Sequence, residues 1–370
     1  MFERTTQAVG GRVVSDEVLP DAVGGRHRSH TASTPGELRS ELPRTPDAAA
    51  AVDAGRRTTR QVLRGKDDRL LVVVGPCSIH DVDAGREYAT SLNTVAAELR
   101  HDLAIVMRVY VEKPRTTVGW TGLLADPHLD GRLDFDRGLR ATRKLMLDIA
   151  ESGMPIATEW LSPAAPAYLA DLISWGAIGA RTVESQVHRQ LASGLPMPVG
   201  MKNGSTGSVK VAVDAITSAA APHGYLGFDQ DGRAVTLHTS GNPDCHVVLR
   251  GGAGRPNYQV EHVDEAAGLL ASASLPAGVV IDASHANSDK NHERQATVAG
   301  EIGEQVARGS TDIRGVMLEG FILPGRQDLG PEEPAFGQSI TDACMGWETT
   351  VDVLTDLAAA SRARRAATRA

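Results

Sequence analysis

The chain has 370 residues, of which 41% are hydrophobic and 23% charged, so it can bury a sizeable core, and global disorder is excluded. The formal net charge of −8 argues against a protein that mainly binds nucleic acid. It leaves room for a local basic pocket that takes a phosphorylated ligand. Only 6 of the 38 basic residues are lysines, which makes the position of each lysine informative.

The N-terminal region contains no pattern of a folded domain. Residues 1–34 are rich in Gly, Ser, Thr, Arg and His and lack periodicity, so we expect an arm that is mobile or ordered only by a partner. An Ala-rich amphipathic helix is predicted over 46–64. We therefore divide the chain into an arm and helix with a regulatory or oligomerisation role, residues 1–65, and a barrel domain, residues 66–370. The Arg-rich tail 361–370 is predicted to be a solvated terminus.

Cysteine usage and apolar segments bear on the compartment. Cys77, Cys245 and Cys344 form an odd, sparse set, which is typical of a reducing compartment. The N-terminus has no apolar segment of the signal-peptide kind, and the longest apolar runs are too short to span a bilayer. We expect a cytoplasmic protein that does not bind membranes.

From Leu70 onward, short apolar runs alternate with helical patterns. The stretch 222–238, with Asp231-Gly232 at its middle, predicts a β-hairpin inserted before the sixth run. Eight βα units favour an α/β fold, a (β/α)8 TIM barrel, over a doubly wound sheet, although periodicity alone does not separate the two. The eight runs are 70–74, 103–111, 155–159, 176–181, 198–202, 246–250, 278–284 and 314–320.

Each apolar run is followed by a reactive or charged side chain. In a barrel these positions converge on one mouth, where the active sites of barrel enzymes lie. Some of these charges are expected to be ordinary ion pairs, but the cations together predict a pocket for ligands that carry phosphate and carboxylate groups. Their number favours two phosphorylated substrates. The cations are Arg108, Lys113, Arg115, Arg181, Lys202 and Arg250.

A metal site is also indicated. Cys77, His285, Glu319 and Asp342 supply one thiolate, one imidazole and two carboxylates. This mixed donor set suits one divalent ion of Mn, Fe, Co or Zn better than Mg or Ca. The four residues lie on separate units, so spacing adds no support. A core cysteine with an ordinary hydrogen-bonded histidine is an equally weighted alternative.

Several long motifs make the chain recognisable. They are VVVGPCSIHD, VYVEKPRTTVGW, GARTVESQVHR, PVGMKNGSTGSVK, IDASHANSDK and QSITDACMGWE. Together they resemble the type I 3-deoxy-D-arabino-heptulosonate 7-phosphate (DAHP) synthases, the microbial class regulated by aromatic amino acids. The resemblance implies a barrel with an N-terminal extension, one divalent metal ion, and the first step of the shikimate pathway. In that step phosphoenolpyruvate, erythrose 4-phosphate and water give DAHP and phosphate.

The resemblance also implies roles for the residues at the barrel mouth. Arg181, Lys202 and Arg250 match residues that bind the phosphate of phosphoenolpyruvate, with Glu159 close by. Arg108 matches a residue near the carboxylate of the same substrate. The metal ligands implied by the resemblance are Cys77, His285, Glu319 and Asp342.

The resemblance assigns the second substrate, erythrose 4-phosphate, to the loop after the second apolar run. The segment with Lys113, Arg115 and Thr116 matches the part that holds erythrose 4-phosphate, with Lys113 beside the reacting carbonyl. We expect C3 of phosphoenolpyruvate to attack the aldehyde and Lys113 to protonate the alkoxide, which Arg would do poorly at neutral pH. The base that activates the water attacking C2 stays open between a metal-bound hydroxide and Glu159. The implied catalytic set is Lys113, Glu159 and His285.

Four residues, at three places in the chain, depart from the family pattern. Thr121 stands where relatives commonly have Lys, Gly320-Phe321 where they often have Ser-His, and Pro196 where members inhibited by phenylalanine or tyrosine have Ser. These departures predict a deregulated or differently regulated copy. Two alternatives stay open: a paralogue of specialised metabolism that uses another aldose phosphate, such as an amino or imino sugar phosphate, and a non-catalytic regulatory paralogue. A homodimer or homotetramer is expected in each case.

Overall fold

The computed structural model describes residues 32–115, 117–330 and 332–369. Its strands are β1 (Leu70–Gly75), β2 (Leu103–Arg108), β3 (Ile156–Glu159), β4 (Trp175–Ile178), β5 (Val199–Lys202), β6 (Gly224–Phe228), β7 (Ala234–His238), β8 (Cys245–Leu249), β9 (Val279–Asp282) and β10 (Ile313–Glu319). Its helices are α1 (Pro35–Glu41), α2 (Pro46–Leu63), α3 (Val82–Glu98), α4 (Phe135–Glu151), α5 (Ala165–Leu169), α6 (Gln186–Gly194), α7 (Lys210–Ala219), α8 (Val260–Ser272), α9 (His292–Ala307) and α10 (Trp347–Arg369).

The strands confirm the predicted barrel. Eight of them form a closed parallel sheet in the order β1-β10-β9-β8-β5-β4-β3-β2. Closure is visible at Leu71, which is in register with Ala104 on one side and with Gly315 on the other. The remaining two strands, β6 and β7, pair antiparallel as the predicted hairpin between α7 and β8.

Alternation along the strands divides the core into two apolar layers. On β1, Leu71 and Val73 face the barrel interior, while Leu70, Val72 and Val74 pack in the layer beneath the surrounding helices. The interior cluster also contains Val62 and Leu63 from the end of α2, so this helix closes the amino-terminal end of the barrel. Ligands therefore reach the interior from the opposite, carboxyl-terminal end.

The start of the described chain is anchored by side-chain caps. Thr34 and Glu37 form a reciprocal capping box at the start of α1, and Thr45 caps α2. The backbone N–H of Ser33 donates to Asp136 on α4 at 2.9 Å. Residues 1–31 of the expected arm lie outside the described residues.

The prediction of a solvated C-terminal tail is wrong for the segment that α10 contains. The Ser361 hydroxyl is buried and donates to the carbonyl of Asp102 at 2.9 Å, and buried Arg364 donates to the carbonyl of Ile313 at 2.9 Å. Arg362 and Arg365 pair with the Asp102 carboxylate. The polar composition suggested exposure, but these side chains form hydrogen bonds with backbone carbonyls and ion pairs with a carboxylate of the barrel. No helix among the described residues is long and apolar enough to cross a membrane.

Candidate active site

Five charged side chains sit on the last residues of barrel strands. They are Arg108 on β2, Glu159 on β3, Lys202 on β5, Asp282 on β9 and Glu319 on β10. Because all eight strands are parallel, these ends meet at one mouth. The other candidates among the described residues stand on the loops that follow the strands, so their convergence on one mouth follows from the fold.

Three of the four predicted metal ligands come together at this mouth. One ligand atom each from Cys77, Glu319 and Asp342 lie within 4.8 Å of one another. The Nε2 atom of His285, the fourth, lies 3.8 Å from Oε1 of Glu319. Ligand atoms around one ion are about 3–4 Å apart, given bond lengths of about 2.0–2.3 Å. The donor set therefore has the scale and the chemistry of a metal site.

Two lysines neutralise the acidic cluster. Lys113 Nζ lies 2.6 Å from Cys77 Sγ and 3.4 Å from Asp342 Oδ2, and Lys290 Nζ lies 3.4 Å from the other oxygen of Asp342. Burial would raise the pKa of Asp342, but Lys113 and Lys290 hold it far below its usual range. Sequence reasoning assigned Lys290 no role.

The pKa values of the Cys77 thiol and the Lys113 ammonium are both raised. Burial, together with the charge of Glu319, raises the pKa of Cys77 to about 11 despite the nearby Lys113. Burial alone would lower the pKa of Lys113, but Cys77 and Asp342 raise it well above the ordinary lysine value. The Lys113 side chain is therefore a firmly protonated cation at the centre of the mouth.

His285 is held from behind by a carboxylate. Its Nδ1 lies 2.9 Å from Asp282 Oδ2, which leaves Nε2 toward Glu319, and the residue adopts φ +55° in the loop after β9. Lys202 donates to the same Asp282 oxygen at 3.1 Å. Burial would raise the pKa of Asp282, but His285 and Lys202 hold it well below its usual range. A carboxylate behind an imidazole fixes its tautomer and orientation, as is common for metal-binding histidines.

Arg108 is almost wholly enclosed. Its exposed fraction is 1%, and Nη2 donates to Glu319 Oε1 at 3.0 Å and to the carbonyl of Cys77 at 3.3 Å. Nε donates to the carbonyl of Pro76 at 3.4 Å. The guanidinium stacks on the ring of Tyr110, with Cζ 3.9 Å from the ring centroid. Arg108 thus supplies fixed positive charge beside the metal-ligand cluster.

Glu159 occupies space that only a glycine leaves open. A Cβ on Gly179 would lie 2.2 Å from Glu159 Oε1, so the residue after β4 sets the position of this carboxylate. Arg181 follows Gly179 by two residues and lies near half-buried Arg250. The pKa of Arg250 is lowered mainly by burial, and the positive charge of Arg181 lowers it further. Arg115 is exposed, and predicted Thr116 lies outside the described residues.

Three buried asparagines, which the sequence reasoning missed, tie together the loops after β5, β8 and β9. Asn203 Oδ1 accepts the backbone N–H of Arg250 at 2.8 Å and the side-chain amide of Asn257 at 3.2 Å. Asn257 Oδ1 accepts the N–H of Gly251 at 2.6 Å, and Asn287 Oδ1 accepts the N–H of Asn257 at 2.7 Å. The available signal was position: Asn203 directly follows Lys202, and Asn287 lies two residues beyond His285.

The departures from the family pattern are accommodated by local packing. The side chain of Thr121 is exposed, while its carbonyl accepts the backbone N–H of Lys113 at 2.9 Å. A Cβ on Gly320 would lie 2.5 Å from Thr350 Oγ1, so the site excludes a serine without rearrangement. Phe321 is fully buried against the rings of His80 and Tyr88. Phe321 therefore belongs to an aromatic cluster.

Comparisons with known proteins agree with this geometry. A sequence model of the DAHP synthetase I family matches residues 45–355. The Phe-sensitive phospho-2-dehydro-3-deoxyheptonate aldolase of Escherichia coli is 54% identical over 332 residues, which cover 90% of this chain and 95% of that protein. The Trp-sensitive enzyme of the same organism is 47% identical over 334 residues, covering 90% and 96%.

A solved structure extends the likeness to the fold. The phospho-2-dehydro-3-deoxyheptonate aldolase of Francisella tularensis superposes with a TM-score of 0.90 at 45% identity, covering 91% of this chain and 98% of that chain. The family match spans the barrel and the site residues from Cys77 to Asp342. The family predicted from the motifs is thereby confirmed: the chain belongs to the DAHP synthetase I family.

Proposed function

We propose that this chain is a DAHP synthase, which condenses phosphoenolpyruvate with erythrose 4-phosphate and water to DAHP and inorganic phosphate. The observation that carries the proposal is the clustering of Cys77, Glu319 and Asp342 beside Lys113 at the mouth of this family's barrel. Relatives at 54% and 47% identity are named for this aldolase activity.

The metal site is part of the proposal. Cys77, His285, Glu319 and Asp342 would hold one divalent ion, and their S, N and O donors fit Mn, Fe, Co or Zn. When bound, the ion supplies Lewis acidity toward the aldehyde oxygen of the second substrate. Asp282 keeps the Nε2 atom of His285 available by engaging Nδ1 from behind.

Phosphoenolpyruvate is assigned to the cations on the loops after β4, β5 and β8. Arg181, Lys202 and Arg250 would bind its phosphate, because guanidinium forks and ammonium groups pair strongly with phosphate oxygens. Arg108 would supply charge near the carboxylate. The asparagine network supports this assignment, since Asn203 holds the backbone of Arg250 and lies next to Lys202.

Lys113 is assigned the proton transfer of the carbon–carbon bond-forming step. As C3 of phosphoenolpyruvate attacks the aldehyde carbon, negative charge develops on the aldehyde oxygen. Lys113 Nζ would donate a proton to that oxygen, and Arg115 and Thr116 would hold the aldose phosphate beside it. The neighbouring carboxylate of Asp342 favours the protonated form of the lysine, so the acid is present before the reaction begins.

Glu159 is assigned to the water that attacks C2, after which the phosphate leaves by C–O cleavage. The carboxylate stands at the end of β3, and Gly179 leaves the room it needs. A carboxylate in this position can accept the proton of the attacking water.

Regulation and assembly remain predictions of the same proposal. Pro196 is exposed and has no hydroxyl, so it cannot form the hydrogen bond that a serine could give to an amino-acid inhibitor. We expect weak inhibition by phenylalanine and tyrosine, and a homodimer or homotetramer. The division into residues 1–65 and 66–370 belongs to the same prediction.

A substrate comparison tests the proposal. Purified chain with Mn²⁺ and phosphoenolpyruvate is offered erythrose 4-phosphate, other four- and five-carbon aldose phosphates, or an amino sugar phosphate. Phosphate release is measured together with the heptulosonate product. The proposal expects the highest kcat/KM with erythrose 4-phosphate. Turnover confined to another aldose would support the specialised paralogue, and no turnover with any aldose would support a regulatory paralogue.

A further inference from the structure

Tyr110 carries a buried hydroxyl that no residue of the described chain satisfies. The side chain follows β2 by two residues and is 3% exposed, and its hydroxyl has no hydrogen-bond partner within the described ranges. An unpaired buried hydroxyl is costly, so buried tyrosines ordinarily find a partner. A ligand that brings an acceptor to this hydroxyl would remove the cost.

Tyr110 lies at the barrel mouth, because it follows the end of β2 by two residues and its ring packs under Arg108, the last residue of that strand. The charges that act on its phenol are Arg108, Glu159, Asp282 and Glu319, which end β2, β3, β9 and β10. Burial raises the pKa of the phenol well above its ordinary value, and three of these four neighbours are carboxylates. The phenol therefore keeps its proton and offers a neutral O–H donor inside the site.

Arg108 and Tyr110 offer a ligand two different interactions, a positive charge and a hydrogen-bond donor. The guanidinium lies over the ring of Tyr110, and its N–H groups already serve Pro76, Cys77 and Glu319. Arg108 thus supplies positive charge but has few directional donors to spare. The stacking contact holds the ring of Tyr110 against this guanidinium, and the hydroxyl of the ring supplies a donor that is not yet used.

We propose that the Tyr110 hydroxyl donates a hydrogen bond to the carboxylate of phosphoenolpyruvate while Arg108 supplies the balancing charge. The inference rests on the proposed function and adds to it a substrate-binding residue. A hydrogen bond to a charged partner is the stronger kind, so its loss should weaken substrate binding by about tenfold or more. Inorganic phosphate has no carboxylate, so its binding affinity should not depend on the Tyr110 hydroxyl.

Calorimetric titration of the Mn²⁺-loaded chain, without aldehyde, tests the inference. Tyr110→Phe keeps the ring under Arg108 and removes only the hydroxyl. The expected result is a Kd for phosphoenolpyruvate raised about tenfold or more, with the Kd for inorganic phosphate unchanged. The ligand-free melting temperature should stay level or rise, because the variant removes an unpaired buried group. Tyr88→Phe is the control, since it deletes another buried phenol hydroxyl, which stands on helix α3 and has no assigned contact with substrate.

Three outcomes would overturn the inference. A Kd for phosphoenolpyruvate within twofold of wild type in Tyr110→Phe would show that the hydroxyl makes no bond to it. Equal weakening of phosphoenolpyruvate and inorganic phosphate would indicate a general disturbance of the site. Wild-type chain that binds no phosphoenolpyruvate would reject the proposed function as well, whereas the first two outcomes leave that function standing.

Discussion

Lys113 Nζ lies 2.6 Å from the Sγ of Cys77, so the proposed proton donor and a proposed metal ligand are direct neighbours. The same ammonium lies 3.4 Å from Asp342. Cys77 and Asp342 would therefore hold a metal ion beside this ammonium group. The ammonium of Lys113 can stabilise the negative charge that develops on the oxygen of a bound aldehyde.

Replacing Lys113 by arginine distinguishes the positive charge of this side chain from its ability to donate a proton. Lys113→Arg keeps a cation in the site, but a guanidinium is a poor proton donor at neutral pH. We expect kcat to fall by about 10²–10⁴, the usual contribution of a general acid, while bound metal measured by atomic absorption stays near one ion per chain. The control is Lys210→Arg, on an exposed lysine of α7 paired with Asp214. Near-normal kcat in Lys113→Arg would remove Lys113 from the proton-transfer role.

Gly179 tests the placement of Glu159. The alanine methyl of Gly179→Ala would lie 2.2 Å from Glu159 Oε1 and force the carboxylate to move. We expect a loss of at least tenfold in kcat, because small displacements of a catalytic group are costly. Gly268→Ala is the matched control: it lies in α8 with open space around its Cβ and should stabilise the helix by about 1 kcal/mol. Unchanged kcat in the Gly179 variant would mean that this carboxylate position does not matter for turnover.

The asparagine network predicts a selective effect on phosphoenolpyruvate. Asn257→Ala removes the acceptor for the N–H of Gly251 and the bond to Asn203, so the loop with Arg250 should loosen. We expect KM for phosphoenolpyruvate to rise about tenfold and the free energy of unfolding to fall by about 1–3 kcal/mol. KM for erythrose 4-phosphate should change little.

Asn242 provides the matched control for that experiment. It is also buried, and its amide donates to the carbonyls of Ala192, Leu195 and Met197, away from the mouth. Asn242→Ala should cost similar stability in urea unfolding without changing KM for phosphoenolpyruvate. Equal changes of KM in both variants would show that the Asn257 effect is only a loss of stability.

Glu112 predicts a pH dependence of stability. Its carboxylate accepts the backbone N–H groups of Leu161 at 3.3 Å and Ser162 at 3.0 Å, and burial raises its pKa to about 7. The folded chain then binds more protons than the unfolded chain between pH 4.5, the ordinary pKa of a glutamate, and about pH 7. The contribution of Glu112 to stability is therefore present below this window and is lost as the pH rises through it.

Glu112→Gln removes this titration. The free energy of unfolding of the variant, relative to wild type, should increase by up to about 3 kcal/mol between pH 5 and pH 8. Urea unfolding at several pH values measures it. A constant difference across the range would show that Glu112 does not titrate in this window.

Sequence reasoning identified most of the fold because the barrel repeats one simple pattern. Leu71 and its neighbours on β1 are apolar on both faces, as buried parallel strands require, and polar groups such as Glu319 end the strands. The C-terminal helix was mistaken for a solvated tail because its arginines look polar in sequence. In the fold, Arg364 reaches the carbonyl of Ile313, a pairing across 51 residues that no local pattern encodes.

The site was predicted residue by residue but not as a network. The positions of Cys77 and Asp342 followed from the family motifs, and the structure brings them together with Glu319. The contacts that position the site residues could not be predicted from the sequence. Gly179 has a role because the carboxylate of Glu159 packs against it, and Lys290 has one because it pairs with the carboxylate of Asp342. Such roles depend on distances between elements, which the sequence does not contain.

The most direct test of the central claim is the stoichiometry of turnover as metal is restored. Chain stripped of metal is titrated with Mn²⁺ in the presence of phosphoenolpyruvate and erythrose 4-phosphate, and phosphate and DAHP are measured together. We expect no turnover without metal, activity that saturates at one ion per chain, and one DAHP formed per phosphate released, with all of this lost in Cys77→Ala. Phosphate release without DAHP, or full activity of Cys77→Ala in metal-free buffer, would contradict it.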